Sequence, residues 1–302
     1  MAGKQYVWMD GKFVDSGKAT VNVLTHSLQY GSGIFEGVRC YSTNKGSAIF
    51  RLGDHVERLF NTAKIHSMPL PYSKEEIVSA VVGTVRKNGI KDGYIRPFAF
   101  YNDTYIGLST SGKKVGVAIA AIPFGNYFSN KDKGIRCKIS SWHRINSQIL
   151  PPMAKASGNY LNSIIASTEA KSSGADEAIM LSSSGYVAEG TGENIFLVKS
   201  SRLITPSDSS DILKGITRDS IIKIAEAMGI GVEEREVHRE ELFTSDELFF
   251  VGTAAEVTPI LTVDNIRIGS GGIGPMTKSL AERYSGAVHG EEEAYVSWLT
   301  YV

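Results

Sequence analysis

Between Ile145 and Thr168, a run of 24 residues, a single side chain carries charge, and it is Lys155. With 21% of the chain charged, about five charged residues would be expected there. A lone lysine within Pro151-Pro152-Met153-Ala154-Lys155-Ala156-Ser157-Gly158-Asn159-Tyr160 points to a closed, weakly polar setting around which the rest must fold. Taking an ammonium out of water favours its neutral form, and a neutral lysine amine is a nucleophile that can form a Schiff base with a carbonyl compound. On the decapeptide alone, a lysine whose stem packs under a loop while its head reaches water is the simpler account. The remaining motifs have to decide.

A chain of 302 residues can bury a large core and is expected to form two domains. Its 32 basic and 32 acidic residues balance, so no global field recruits nucleic acid or an anionic membrane, and small-molecule chemistry is favoured. The start leads into a polar-punctuated hairpin, and no run approaches the roughly 18 apolar residues of a membrane span, so a cytoplasmic location is expected. Cys40 and Cys137 lie far apart without CxxC spacing, which argues against a zinc site or a disulfide and makes both buried strand residues. No metal is expected.

Strand and helix periodicities alternate along the chain. Tyr6 to Met9, Asp10-Gly11 and Lys12 to Val14 read as a hairpin, because Asp-Gly supplies the positive φ its turn needs. The glycines of Tyr30-Gly31-Ser32-Gly33-Ile34-Phe35-Glu36-Gly37-Val38-Arg39 lack GxGxxG spacing, so close backbone approach to a ligand suits Gly37 better than a dinucleotide loop. Asp54 is placed as the cap of a helix to about His66 with Val56, Leu59, Phe60 and Ala63 on one face. Arg58, off that face, reads alone as a solvated arginine. A capping box from Ser73 to Glu76 starts a second helix, burying Ile77, Val81, Val82 and Val85 and stopping at Asn88-Gly89. Tyr94 to Phe100 is a strand whose Arg96 either points inward, requiring an anion, or lies on an edge strand before Pro97. Val115 to Ile122 is an apolar strand, and Pro123 to Lys133 is the linker candidate.

The second half opens with a strand from Ile135 to Trp142, the Lys155 stretch, a helix from about Asn159 to Ser172, and a strand from Glu177 to Leu181. Then comes Tyr186 to Phe196, in which Glu189 and Glu193, four apart among glycines before an apolar strand, suggest a ligand contact. Two segments resemble anion cups. Gly215-Ile216-Thr217 precedes a helix from Arg218 to Met228 with Thr217 as cap and Gly229 as stop, and Gly252-Thr253-Ala254-Ala255 follows the strand Leu248 to Val251. A helix start presents N–H groups with positive potential, and a nearby hydroxyl adds a donor for a phosphate. Simple capping by Thr217 remains the plainer alternative. Near the end, Gly269-Ser270-Gly271-Gly272-Ile273-Gly274 is a literal GxGxxG, but the 28 residues after it are too few for the rest of a dinucleotide unit, so it reads as a turn.

A nucleophilic lysine, an acid and two anion cups are the parts list for pyridoxal 5′-phosphate chemistry. Six motifs occur in order: Tyr30-Gly31 with Phe35-Glu36-Gly37-Val38-Arg39; Tyr94-Ile95-Arg96-Pro97; Ala154-Lys155-Ala156-Ser157-Gly158-Asn159-Tyr160; Glu189-Gly190-Thr191-Gly192-Glu193-Asn194; Gly215-Ile216-Thr217-Arg218; and Gly252-Thr253-Ala254-Ala255-Glu256. Through them the chain resembles, over nearly its whole length, the branched-chain aminotransferases of the fold-type IV pyridoxal-phosphate enzymes. The resemblance implies Lys155 as Schiff-base lysine and proton shuttle, Glu189 as partner of the pyridine nitrogen, and Tyr160 against the cofactor. It gives the phosphate to Arg58, Ile216, Thr217 and the Gly252-Thr253 segment. It implies substrate contacts from Phe35, Gly37, Tyr94, Arg96, Tyr127, Thr253 and Ala254, with Tyr30 and Leu108 reaching across from a partner subunit. Phe124 stands where relatives often place tryptophan, which leaves the substrate ranking open.

The implied fold is α/β, more closely α+β. Residues 1–122 form a small α/β domain, 123–134 an interdomain loop, and 135–302 a larger cofactor-binding domain, both domains with mixed, largely antiparallel sheets. The implied activity is transamination between leucine, isoleucine or valine and 2-oxoglutarate. The implied assembly is a homodimer at least, with a hexamer of dimers as the larger option. Two rivals stand beside it: a sister enzyme of the same fold acting on D-amino acids, (R)-amines or aminodeoxychorismate, which would not share the Tyr94-Ile95-Arg96-Pro97 context, and a non-catalytic interaction protein, which would be colourless.

Overall fold

The computed structural model describes residues 5–125, 127–128 and 133–302. They group into two compact units, one of residues 1–125, 154–158 and 287–302, the other of residues 126–153 and 159–286. Residues 126 and 129–132 of the expected linker lie outside the described residues.

The first unit is built on an antiparallel sheet. Strand β1 (Tyr6–Met9) turns through Asp10 (φ 46°) and Gly11 (φ 87°) into β2 (Lys12–Asp15), the hairpin that Asp-Gly predicts. Strands β3 (Ile34–Phe35) and β4 (Val38–Thr43) both pair with the long β6 (Gly93–Tyr101), while β5 (Gly46–Phe50) extends the sheet from β4 and β7 (Val115–Pro123) flanks the other side of β6. Strand β17 (Leu299–Tyr301) pairs with β5, which is why the chain's end belongs to this unit. Pro97 therefore stands inside the sheet, not on an edge strand. It is tolerated because it falls opposite the break between β3 and β4, where Glu36 N–H donates to its carbonyl at 2.9 Å.

Helices α2 (Leu52–Ile65) and α3 (Lys74–Asn88) supply apolar faces to this core. Ser73 and Glu76 close the capping box, and Gly89 ends α3 with φ 61°. Asp54, expected as the cap of α2, sits inside its first turn paired with Arg51 Nε at 2.7 Å, because Arg51, at φ 50°, is the turning residue.

The second unit holds a mixed sheet. Strands β8 (Ile135–Ile139), β9 (Glu177–Leu181) and β15 (Glu256–Val263) are mutually parallel neighbours with β8 central; β10 (Val187–Gly190), β11 (Asn194–Lys199), β12 (Arg202–Pro206) and β14 (Glu247–Gly252) add antiparallel pairs, and β13 (Val232–Arg235) runs parallel to β12. Strand β8 ends before the expected Trp142 because Ser140 and Ser141 turn to bond Glu169 of α4 (Tyr160–Ser172). Cys40 and Cys137 are buried in β4 and β8 as expected. Helix α5 (Ile216–Ala227) starts two positions earlier than predicted; Gly215 is its cap residue and Thr217 lies within its first turn. The terminal GxGxxG is a turn before α7 (Pro275–Val288). There the carboxylate of Glu247 accepts from Met276 N, Thr277 N and Thr277 Oγ1 at 3.0, 2.7 and 2.6 Å, so a protein acid occupies the helix start. Among the described residues no helix is long and apolar enough to cross a membrane.

Candidate active site

In the first unit, Lys155 is fixed by the strand it runs beside. Its N–H donates to Thr62 Oγ1 at 3.2 Å and its carbonyl accepts from Phe35 N at 3.0 Å. Ala156 bridges Ile34, Ser157 N donates to Gly33 O at 2.8 Å and Gly158 N to Gly31 O at 3.0 Å. Residues 154–158 thus lie along 31–35, and the glycines there serve chain approach: a Cβ on Gly31 would stand 3.2 Å from Gly158 Cα, and one on Gly33 2.6 Å from Phe98 Cζ.

The same strand places a cluster of aromatic rings and cations. Lys155 Nζ lies 5.0 Å from the Phe35 ring centroid and Arg96 Cζ 4.5 Å from it. Tyr94 and Arg96, two apart on β6, share a face, and Arg96 Nη2 donates to the Tyr94 hydroxyl at 3.2 Å. Arg96 is exposed, its guanidinium lying over the two rings, so alternation along β6 turns it off the core. A Cβ on Gly37 would come within 1.8 Å of Tyr94 Oη, so glycine is required for Tyr94 to stand where it does. The Phe124 ring packs 5.2 Å from that of Tyr94.

Arg58 is not solvated. Its side chain is 14% exposed and forks onto Glu36, Nε to Oε1 at 2.7 Å and Nη2 to Oε2 at 2.8 Å, with His55 Nδ1 a third partner at 2.8 Å from Oε2. Burial pushes the Glu36 carboxyl up, but the Arg58 charge and hydrogen bonds and the contact with His55 outweigh it and hold it well below the usual carboxylate range. Burial likewise pushes His55 down, against the pull of Glu36. Glu36 and His55 were not singled out from the sequence; the signal available was an acid inside the apolar run Ile34 to Val38.

In the second unit, Glu189 on β10 is buried, with donors on both oxygens. Arg144 Nε donates to Oε1 at 2.6 Å, and Asn194 Nδ2 and Leu213 N each to Oε2 at 3.1 Å; the Arg144 and Glu189 side chains are both 6% exposed. Arg144, which the sequence reading missed, is the last charge before the uncharged run. Asn194 also donates to Leu213 O at 3.0 Å, and a Cβ on Gly215 would lie 1.9 Å from Asn194 Oδ1, so the carboxylate and the start of α5 are locked together. Glu193 is buried too, but folds back on its own turn, accepting from Gly192 N at 3.0 Å.

The β14–β15 hairpin supplies the second cup. Gly252 pairs with Glu256, making Thr253, Ala254 and Ala255 its tip. Register sets it beside the first cup, since Asn194 pairs with Val251 across β11 and β14. The start of α5 carries no side-chain cap and has the buried Thr217 in its first turn. A helix start with a hydroxyl, a hairpin tip and a buried carboxylate, all in one unit, fit a phosphate-bearing, nitrogen-containing ring such as pyridoxal 5′-phosphate. Tyr160 opens α4. Tyr127 is 49% exposed, and Tyr30 and Leu108 are 40% and 83% exposed on the surface of the first unit. Cys40 offers no thiolate, since burial, then Asp92, pushes its thiol up to about 11.

Known proteins of similar sequence and fold belong to one family. The family model of amino-transferase class IV matches residues 33–263, which places the chain in that class. A branched-chain-amino-acid aminotransferase of Pseudomonas aeruginosa is 47% identical over 298 residues, 98% of this chain and 97% of that protein. The crystal structure of a branched-chain aminotransferase from Thermoproteus uzoniensis with norvaline superposes with a TM-score of 0.95 at 49% identity, covering 99% of each chain. The crystal structure of a T.th. branched-chain amino acid aminotransferase complexed with N-(5′-phosphopyridoxyl)-L-glutamate gives 0.95 at 42% identity, covering 100% of this chain and 99% of the other. The chain belongs to the branched-chain-amino-acid aminotransferases.

Proposed function

We propose that the protein transfers the amino group of leucine, isoleucine or valine to 2-oxoglutarate with pyridoxal 5′-phosphate as cofactor. One observation carries the substrate side of this reading: the Phe35, Tyr94, Arg96 and Lys155 cluster, packed so tightly that Gly37 admits no side chain. The ligands named for two relatives, norvaline and a phosphopyridoxyl-glutamate, support an apolar amino acid and glutamate as the two substrates.

When bound, pyridoxal phosphate supplies an aldehyde that condenses with amines and a ring that takes up the electrons of a carbanion. Arg58, Ile216, Thr217, Gly252 and Thr253 would hold its phosphate, Tyr160 would lie against it and Glu189 would pair with its ring nitrogen. Lys155 would supply the amine that holds the cofactor and would carry the substrate's α-proton at Nζ. Thr253 and Ala254 receive the α-carboxylate. Phe35, Tyr94 and Tyr127, with Tyr30 and Leu108 of a second copy, cover the apolar side chain. Arg96 receives the second carboxylate of glutamate, since a charge unpaired among such rings is strongly disfavoured. The protein acts in the cytoplasm as a homodimer or a larger assembly of dimers.

The purified protein should change its visible spectrum on addition of L-leucine and revert with 2-oxoglutarate. A response to D-alanine or an (R)-amine with none to L-leucine would support the sister-enzyme reading instead. Arg96→Ala should cut kcat/KM for glutamate and 2-oxoglutarate about 10- to 150-fold and spare the leucine half-reaction.

A further inference from the structure

Beside the cluster around Phe35, the first unit carries a hydrogen-bonded chain whose centre is a histidine with no part in the chemistry above. His26, the first residue of the short helix α1 (His26–Tyr30), is buried, with Nε2 2.9 Å from Gly107 O and Nδ1 2.8 Å from Ser32 Oγ. A carbonyl oxygen only accepts, so Nε2 carries the hydrogen, and in the neutral ring Nδ1 then accepts from the Ser32 hydroxyl. Ser32 Oγ lies 3.1 Å from Ser27 Oγ, which itself accepts from Tyr101 N at 2.8 Å. The donors fall into one direction: Tyr101 N–H to Ser27, Ser27 to Ser32, Ser32 to His26, His26 to Gly107. Gly107 N–H then donates to the Tyr30 hydroxyl at 3.2 Å.

This chain ties down loop 102–110, whose base is held by Asn102 N to Lys114 O and by His26 N to Asp103 O, both at 2.9 Å. Gly107 itself allows no side chain: its φ is +148° and a Cβ would lie 2.5 Å from Tyr105 Oη. The His26 ring also packs on Tyr30, centroids 4.7 Å apart, and edge-on to Tyr101 at 6.0 Å.

We propose that His26 is a positioning residue for side-chain selection: it clasps Tyr30 and the Gly107-Leu108 tip into one body, so that both are presented in a single arrangement. The proposal rests on the reading that Tyr30 and Leu108 contact the substrate side chain. A pocket wall displaced by a fraction of a methyl group alters discrimination between substrates that differ by one methylene.

The test uses the holoenzyme with His26→Phe, which keeps an aromatic ring and removes both nitrogens, and the milder Ser32→Ala, which removes the donor to Nδ1 and the acceptor of Ser27. Hydrogen exchange at 102–110 should accelerate in both relative to β6 and β7, and the ratio of kcat/KM for leucine over valine should fall by roughly threefold or more. Should His26→Phe fail to fold, Ser32→Ala decides. Unchanged exchange at 102–110 in the folded variants, or an unchanged ratio where Leu108→Ala does shift it, overturns the proposal. A Leu108→Ala enzyme with the native ratio overturns instead the substrate-contact reading beneath it, and the exchange measurement still decides the clasp.

Discussion

Glu36 in the first unit and Glu189 in the second are both carboxylates buried against an arginine, yet the arginines meet them differently. Arg58 grips Glu36 with two parallel bonds and His55 adds a third, all from one helix. Arg144 reaches one oxygen of Glu189 through Nε, while Asn194 and Leu213, on two other segments, hold the second oxygen. The fork on Glu36 fixes an arginine; the three-way clamp on Glu189 fixes a carboxylate. A bidentate pair gives geometry to the cation, which suits a phosphate ligand, whereas converging donors hold a carboxylate in a set place, which suits a partner for a ring nitrogen.

The largest expected effect comes from opening the fork. Glu36→Gln leaves a buried guanidinium without its counter-charge and should destabilise the protein by about 3–5 kcal/mol, read from urea unfolding. Glu189→Gln likewise takes the counter-charge from buried Arg144, so it too costs stability, but its distinguishing effect is on turnover: kcat should fall at least about tenfold while the cofactor stays bound. Native turnover in Glu189→Gln would erase the functional side of the contrast. Gly37→Ala forces Tyr94 away from Arg96 and should cost about 1–3 kcal/mol, with the loss of kcat/KM greatest for glutamate.

Acid sharpens the comparison further. His55 and Glu36 both titrate below their ordinary values of 6.5 and 4.5 in the fold, so the stability they give is present above those values and is lost as pH falls, first past 6.5 and then past 4.5. In the second unit burial pushes the Glu177 carboxyl up, so its contribution has the opposite sign and is lost as pH rises through its folded value. Hydrogen exchange at pH 4 should therefore rise more around α2 and β3 than around β9. The smallest effect is expected from Ser73→Ala, which touches neither pair: the lost cap of α3 costs about 1 kcal/mol and should leave turnover unchanged.

The legible parts of the chain were those governed by local rules. The Asp10-Gly11 hairpin, the Ser73–Glu76 box and the apolar faces of α2 and α3 follow from turn chemistry and period, and the glycines around Glu189 set it apart from a solvated face, in keeping with its burial. What stayed hidden depends on distant pairing. The sequence cannot show that Lys155 is held by residues 31–35, nor that Arg58, off the apolar face of its helix, finds Glu36, because both contacts join segments far apart in the chain. Local rules also misplaced the caps at Asp54 and Thr217, since Arg51 and Gly215 adopt the turning conformations that open those helices.

The central claim is that Lys155 is the amine that holds the cofactor. Purified protein should be yellow, and borohydride reduction followed by peptide mapping should find the phosphopyridoxyl mass on the peptide containing Lys155 and lose it in Lys155→Ala, together with activity. The label on a different lysine, or an active preparation that carries no cofactor, would contradict the account.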